Sequence, residues 1–255
     1  MVARGKIDDS PPGSFPSRAP RPCRSAPAGS IVDLQKLLDE RFPHTPLPAA
    51  RRLPVTGLAF LDEAIGGGLP KGAITELISA EVSAGSASLI HALLQGDSAD
   101  ETPACSADKR SVFSPVALID GCDSFDPQPL GNACLRYLLW VRCTKALEAI
   151  KAADLLLRDG NFPLLIVDLV LNAPEELRKI PKTSWYRLQR LVESVPCACL
   201  VLTRQGMVSS AQLKIVLENV WGLASFEEED AISRLRIRVQ RSHLQREEIK
   251  IAGAS

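Results

Sequence analysis

The sequence predicts an α/β fold with a mainly parallel central sheet. Short, continuous apolar segments alternate along the chain with segments of helical periodicity. Continuous apolar strands are typical of parallel sheets that are covered by helices on both faces. Three of the segments end in a polar residue, namely Asp120, Asp168 and Thr203. Because ligands bind beyond the carboxyl ends of the strands in such sheets, these residues mark the candidate functional edge.

The elements of the predicted core follow in chain order. The apolar segments predict strands at 73–78, 116–120, 164–168 and 197–203. The helical pattern predicts helices at 89–94, over most of 130–157, and at 183–194. Within 130–157 the predicted period is set in part by Leu138, Val141, Lys145, Leu147, Ile150 and Leu155.

Three regions divide the chain. Residues 1–30 are rich in Pro, Ser, Gly and Arg and bury too little apolar area to offset chain entropy, so we expect a disordered tail. Residues 31–52 combine a short amphipathic helix at 31–42 with a proline-rich linker. Residues 53–255 are expected to form the core domain.

Composition limits the classes of function. The 255 residues include 30 basic and 30 acidic side chains. A net charge of zero excludes a protein that binds nucleic acid through a strongly basic overall charge. It does not exclude local basic patches on the surface. No apolar run is long enough to span a bilayer. Seven cysteines without a CxxC pair are typical of reduced thiols, so we expect a cytoplasmic protein.

Residues 54–95 read PVTGLAFLDEAIGGGLPKGAITELISAEVSAGSASLIHALLQ. Their TG…LD pattern, the glycine turn GGLPKG and the strand leading into a loop and helix resemble the opening of the RecA-like ATPase core. LIDGCDSFDP (118–127), LLIVD (164–168) and LRIRVQRSHLQREEIKI (235–251) are similar to its acidic turn, its Walker B strand and its closing hairpin. The resemblance implies a RecA-like P-loop NTPase core with a C-terminal β-hairpin.

The phosphate loop departs from that family. A working loop reads G-x-x-x-x-G-K-[ST]: glycine N–H groups surround the phosphates, the lysine neutralises them and the hydroxyl holds Mg²⁺. The stretch SAEVSAGS (79–86) replaces both glycines and puts Gly85 in the place of the lysine. Each lost charge-assisted contact costs about 1.5–3 kcal/mol, so we expect no resident cofactor, with ATP and Mg²⁺ as the alternative. The vestigial nucleotide pocket is predicted to consist of Ser83, Gly85, Ser86 and Asp168.

The resemblance also implies a water-activating glutamate two residues beyond the aspartate that ends the second strand. Counted from Asp120, that place is Cys122, which is a poor base for water. Asp123 is the alternative. Gln205 follows the strand at 197–203, where the family has a phosphate-sensing glutamine, and the simpler interpretation is a surface loop residue.

A RecA-like fold with a dismantled ATPase site resembles the ImuA group. The features that carry this resemblance are the RFP at 41–43 and the pattern TGLAFLDEAIGGGLPKGAITEL at 56–77. Members are encoded with an inactive Y-family polymerase homologue, ImuB, and with an alternative replicative-type polymerase. The resemblance implies an SOS-induced accessory factor for error-prone translesion synthesis, with those two proteins as partners and with RecA and DNA as further candidates.

Three functions stay open at this point. The first is a non-enzymatic RecA-like adapter for DNA damage tolerance. The second is a nucleotide-using repair protein with a divergent loop, which Ser86 and Asp168 favour. The third is a SulA-like cell-division inhibitor, since some members of the group have been labelled in that way.

Two basic segments are candidate contact surfaces for a partner or DNA. Arg234, Arg236 and Arg238 alternate with apolar residues, and a period of two puts them on one face of a strand. A solvated hairpin, balanced by the acidic run at 227–230, is the alternative interpretation. The full set of candidate contact residues is Arg187, Arg190, Arg234, Arg236, Arg238 and Arg241.

Overall fold

The computed structural model describes residues 56, 58–81, 83–95, 115–222 and 232–242. The predicted tail at 1–30, the segment at 31–52 and the second arm of the predicted hairpin at 243–251 lie outside these residues. The described residues form seven strands: β1 (Ala73–Ser79), β2 (Val116–Asp120), β3 (Leu138–Arg142), β4 (Leu164–Asp168), β5 (Ala198–Thr203), β6 (Leu213–Leu217) and β7 (Ile237–Ser242).

The strands form one sheet in the order β3-β2-β4-β5-β1-β6-β7. All neighbours pair in parallel except β6 and β7, which form an antiparallel pair at one edge. The predicted α/β fold with a mainly parallel sheet is therefore confirmed. The strands predicted from the sequence agree with β1, β2, β4 and β5 to within one residue at either end.

Six α-helices and a 3-10 turn (Ile232–Arg234) accompany the sheet in the described residues. The helices are α1 (Ala59–Ile65), α2 (Ser86–Gln95), α3 (Asn132–Leu135), α4 (Ala146–Asp159), α5 (Pro174–Leu177) and α6 (Lys182–Glu193). None of them is long and apolar enough to cross a membrane.

The prediction of a helix over most of 130–157 is wrong. The structure divides this segment into α3, the edge strand β3 and α4. Leu138 and Val141, which also fit a helical spacing, belong to the run LLWVR, whose aromatic and β-branched residues favour a strand. Lys145 is not inside a helix but is the extended residue that precedes α4.

Helices cover both faces of the sheet. The crossover from β1 through α2 to β2 runs in the opposite direction along the sheet to the crossover from β3 through α4 to β4. Right-handed crossovers then put α2 and α4 on opposite faces. Leu89 and Ile90 of α2 are fully buried with Leu77 of β1 in a hydrophobic core cluster. On the other side α4 and α6 pack against each other and against the central strands.

The connections leave the adjacent strands β2 and β4 in opposite directions, toward β3 and β5. Such a switch point opens a crevice at the carboxyl ends of the two strands. Asp120 and Asp168 are register partners there, so the structure brings together the two predicted acidic strand ends.

Candidate functional site

The segment that was predicted to correspond to a phosphate loop joins β1 to α2 and is closed by hydrogen bonds within the loop. The Ser79 hydroxyl donates a hydrogen bond to the Glu81 carbonyl at 3.0 Å. The Ala84 N–H donates to the same carbonyl at 3.1 Å. A phosphate cradle needs loop N–H groups that point at the ligand, and the Ala84 N–H is already engaged within the loop.

Apolar side chains surround Gly85, the residue that the sequence alignment puts in the place of a phosphate-loop lysine. Gly85 is buried and has a φ of +90°. A Cβ atom at this position would lie 2.7 Å from Leu235 Cδ2 and 3.0 Å from the indole ring of Trp221. These two side chains form the Trp221–Leu235 plug. The residues around Gly85 therefore do not fit a nucleoside triphosphate with Mg²⁺. Apolar side chains cannot replace the water that a phosphate group loses on binding.

Hydrogen bonds hold the plug against the loop. The Trp221 N–H donates to the Ser83 carbonyl at 3.0 Å. Asn219 connects the two plug segments: its Nδ2 donates to the Arg234 carbonyl at 3.0 Å and its Oδ1 accepts from the Arg236 N–H at 2.5 Å. Of the predicted pocket residues, Ser83, Gly85 and Ser86 thus lie at or beside the contact with the plug, and Asp168 lies at the β2/β4 crevice.

The two crevice carboxylates stabilise turns of the chain itself. Asp120 is buried and accepts hydrogen bonds from the Cys122 N–H at 3.2 Å and the Phe125 N–H at 2.8 Å. Asp168 accepts from the Val170 N–H at 3.0 Å. Burial raises the pKa of Asp168 to about 6, and the charge of Asp120 adds to the increase. The described residues contain no group of three or more His, Cys, Asp or Glu side chains placed to share a metal ion.

A tight crossing closes the crevice just beyond these acids. Asn172 Nδ2 donates to the Gly121 carbonyl at 2.7 Å. A Cβ atom on Gly121 would lie 2.4 Å from Asn172 Oδ1, so no larger residue fits at position 121. Asn172 was not among the residues predicted from the sequence, and no local pattern distinguishes it.

Neither candidate for the missing general base is suited to that role. Cys122 is an exposed free thiol. Asp123 forms a two-point ion pair with Arg142, at 2.5 Å and 2.7 Å, and this hydrogen bonding lowers the pKa of Asp123. A lower pKa weakens a carboxylate as a base. Gln205 is exposed on a loop, in agreement with the simpler interpretation of it.

A buried carboxylate on β1 organises the loop after β5. Glu76 is fully buried. Its Oε1 accepts hydrogen bonds from Thr203 Oγ1 at 3.2 Å and from the N–H groups of Met207 and Val208 at 2.6 Å and 2.9 Å. Its Oε2 pairs with Lys214 of β6. Thr203 therefore supports Glu76, and the only sequence signal for this cluster is one acid within the apolar strand ITELIS.

The structure separates the candidate contact arginines. Arg187 pairs with Asp154 at 2.6 Å and Arg238 with Glu218 at 2.6 Å. Arg190 and Arg236 are exposed. Arg236, Arg238 and Gln240 alternate with half-buried neighbours as predicted, but Arg234 lies in the 3-10 turn before the strand. Arg241 is in β7, opposite Lys214, and its side chain lies outside the description.

Comparisons with protein-family models and with curated proteins find no match to this chain.

Proposed function

We propose that this chain is a RecA-like accessory protein for DNA damage tolerance that acts as an adapter in error-prone translesion synthesis and does not hydrolyse ATP. The proposed family is the ImuA-like group, and the proposed fold identity is a P-loop NTPase core whose nucleotide chemistry has been lost. An ImuB-like protein and an alternative replicative-type polymerase are the proposed partners.

The observation that carries the proposed absence of ATP hydrolysis is the Trp221–Leu235 plug at Gly85. A Cβ atom at position 85 would lie 2.7 Å from Leu235 Cδ2, so the longer chain of a lysine would have to displace the plug. The chain thus holds the loop with its own apolar side chains, where a working ATPase holds phosphate. Asp120, Glu76 and the loop itself all form hydrogen bonds within the chain. These internal bonds are expected if this edge of the sheet is purely structural.

The assignment to translesion synthesis is supported by sequence resemblance alone. The matching residues are the lead-in at 56–77 and the RFP at 41–43. A divergent nucleotide-binding protein is the second candidate. It is favoured by Ser86, which starts α2 in the place of the Mg²⁺-binding hydroxyl, and by Asp168 at the end of β4.

Complementation of a deletion strain tests the cellular role. We expect deletion to reduce damage-induced mutagenesis, and Asp168→Ala to restore it as well as the wild-type chain does. Loss of mutagenesis with a folded Asp168→Ala protein would favour the nucleotide-binding candidate. Normal mutagenesis in the deletion strain, together with altered cell division after damage, would favour a SulA-like inhibitor.

A further inference from the structure

We propose that the solvent face of α6 is a docking surface for an acidic segment of a protein partner. The surface is the row formed by Lys182, Tyr186 and Arg190, named the α6 ridge. It lies on a different element from the loop at Gly85. The proposal rests on the adapter function for the existence of a partner, and its evidence is the exposure and pairing of these side chains.

Core packing fixes the rotation of α6. Trp185, Leu188 and Val192 are buried, which turns the opposite side of the helix to solvent. The ridge residues recur every four positions and so form a row with a spacing of about 6 Å along the helix. Tyr186 is 52% exposed at the centre of the row, with Lys182 and Arg190 also exposed.

Ion pairing distinguishes the ridge from the other charges on this face. Arg187 is held by Asp154, which also binds Arg158 of α4. Among the described residues, Lys182 and Arg190 have no hydrogen-bond or ion-pair partner for their side chains. Arg187 is thus engaged in an ion pair within the chain, whereas Arg190 is a contact candidate without one, and Lys182 and Tyr186 join the set.

The only carboxylate in α6 does not cancel these charges by contact. Glu193 accepts a hydrogen bond from the Gln189 side chain at 2.8 Å. The segment from 174 to 193 holds five Lys and Arg residues and three Glu residues. The ridge is thus a local positive surface on a chain with no net charge.

The geometry favours an acidic protein segment as the occupant. The two cations of the ridge, Lys182 and Arg190, lie about 12 Å apart along the helix, which matches carboxylates eight residues apart on a partner helix or four residues apart on a strand. Tyr and Arg are the residue types that contribute most to protein interfaces. Single-stranded nucleic acid binds in basic grooves with successive aromatic rings, whereas the ridge offers one ring on a convex helix.

Fluorescence anisotropy with the full-length protein tests the proposal. The probe is a fluorescein-labelled helical peptide in which Glu recurs every fourth residue among Ala and Leu. We expect binding that weakens with salt. The double variant Lys182→Glu/Arg190→Glu is expected to bind at least tenfold more weakly, and Tyr186→Ala about tenfold more weakly.

Arg136→Glu and Tyr137→Ala are matched controls. Arg136 is exposed and Tyr137 is 42% exposed, next to each other before β3, and we expect both variants to bind the peptide as the wild type does. Circular dichroism checks that every variant is folded.

Two results would overturn the proposal. Equal peptide binding by the wild type and the ridge variants would exclude the ridge as an interface. Tighter binding of an oligo(dT) strand with the same number of charges, dependent on Tyr186, would identify a nucleic-acid surface instead. Neither result depends on whether the chain binds a nucleotide. Failure of this proposal is therefore distinguishable from failure of the adapter function.

Discussion

Substitution of Gly85 by alanine tests the packing of the Trp221–Leu235 plug. The φ of +90° at this position costs an alanine about 1–2 kcal/mol of strain. The new Cβ atom would lie 2.7 Å from Leu235 Cδ2, and overpacking of this kind costs about 1–3 kcal/mol more. We therefore expect Gly85→Ala to lower the free energy of unfolding by about 2–5 kcal/mol, measured by urea denaturation.

Gly67→Ala is the matched control, because Gly67 has the same φ of +90° and no atom within 4 Å of an added Cβ. It should lose the strain term alone, about 1–2 kcal/mol. In a Leu235→Ala background the closest contact is absent, so the cost of Gly85→Ala should fall toward that of the control. Equal losses for Gly85→Ala and Gly67→Ala in the wild-type background would refute the plug.

Two further perturbations test the buried carboxylates. Because the pKa of Asp168 is raised to about 6 from a usual value near 3.9, the folded state holds this proton more tightly, and stability should decrease as the pH rises from about 4 to about 6. Asp168→Asn should remove this decrease and raise the free energy of unfolding at pH 7.5 by about 3 kcal/mol; a pH profile parallel to that of the wild type would contradict it. Glu76→Ala should destabilise the fold by about 3–5 kcal/mol, since it leaves the half-buried Lys214 ammonium without its partner. Glu76→Ala/Lys214→Met should lose less than the single variant in the same urea assay, and an equal or larger loss would count against the ion pair.

Much of the sheet could be predicted because its strands are local apolar runs. The segments that end at Asp120 and Asp168 were predicted with their observed bounds. β6 was missed because Lys214 interrupts its apolar pattern, and its partner Glu76 is 138 residues away. β3 was misread because Leu138 and Val141 also fit a helical spacing, and pairing with β2 decided the outcome.

The candidate site was less predictable for the same reason. The absence of a lysine from the stretch at 79–86 is visible in the sequence, but the side chains that contact Gly85 come from segments far along the chain. Trp221 and Leu235 have no local signature that links them to the loop. Likewise, the alternation of Arg236 and Arg238 was predictable, whereas the pairing of Arg238 with Glu218 depends on the fold.

The central claim is that this edge of the sheet no longer serves a nucleotide. Calorimetric titration of Mg·ATP into the purified chain tests it most directly. We expect no binding heat at millimolar nucleotide, because the loop is closed by its own hydrogen bonds and the place of the lysine is filled by the Trp221–Leu235 plug. Micromolar affinity for Mg·ATP would contradict this account.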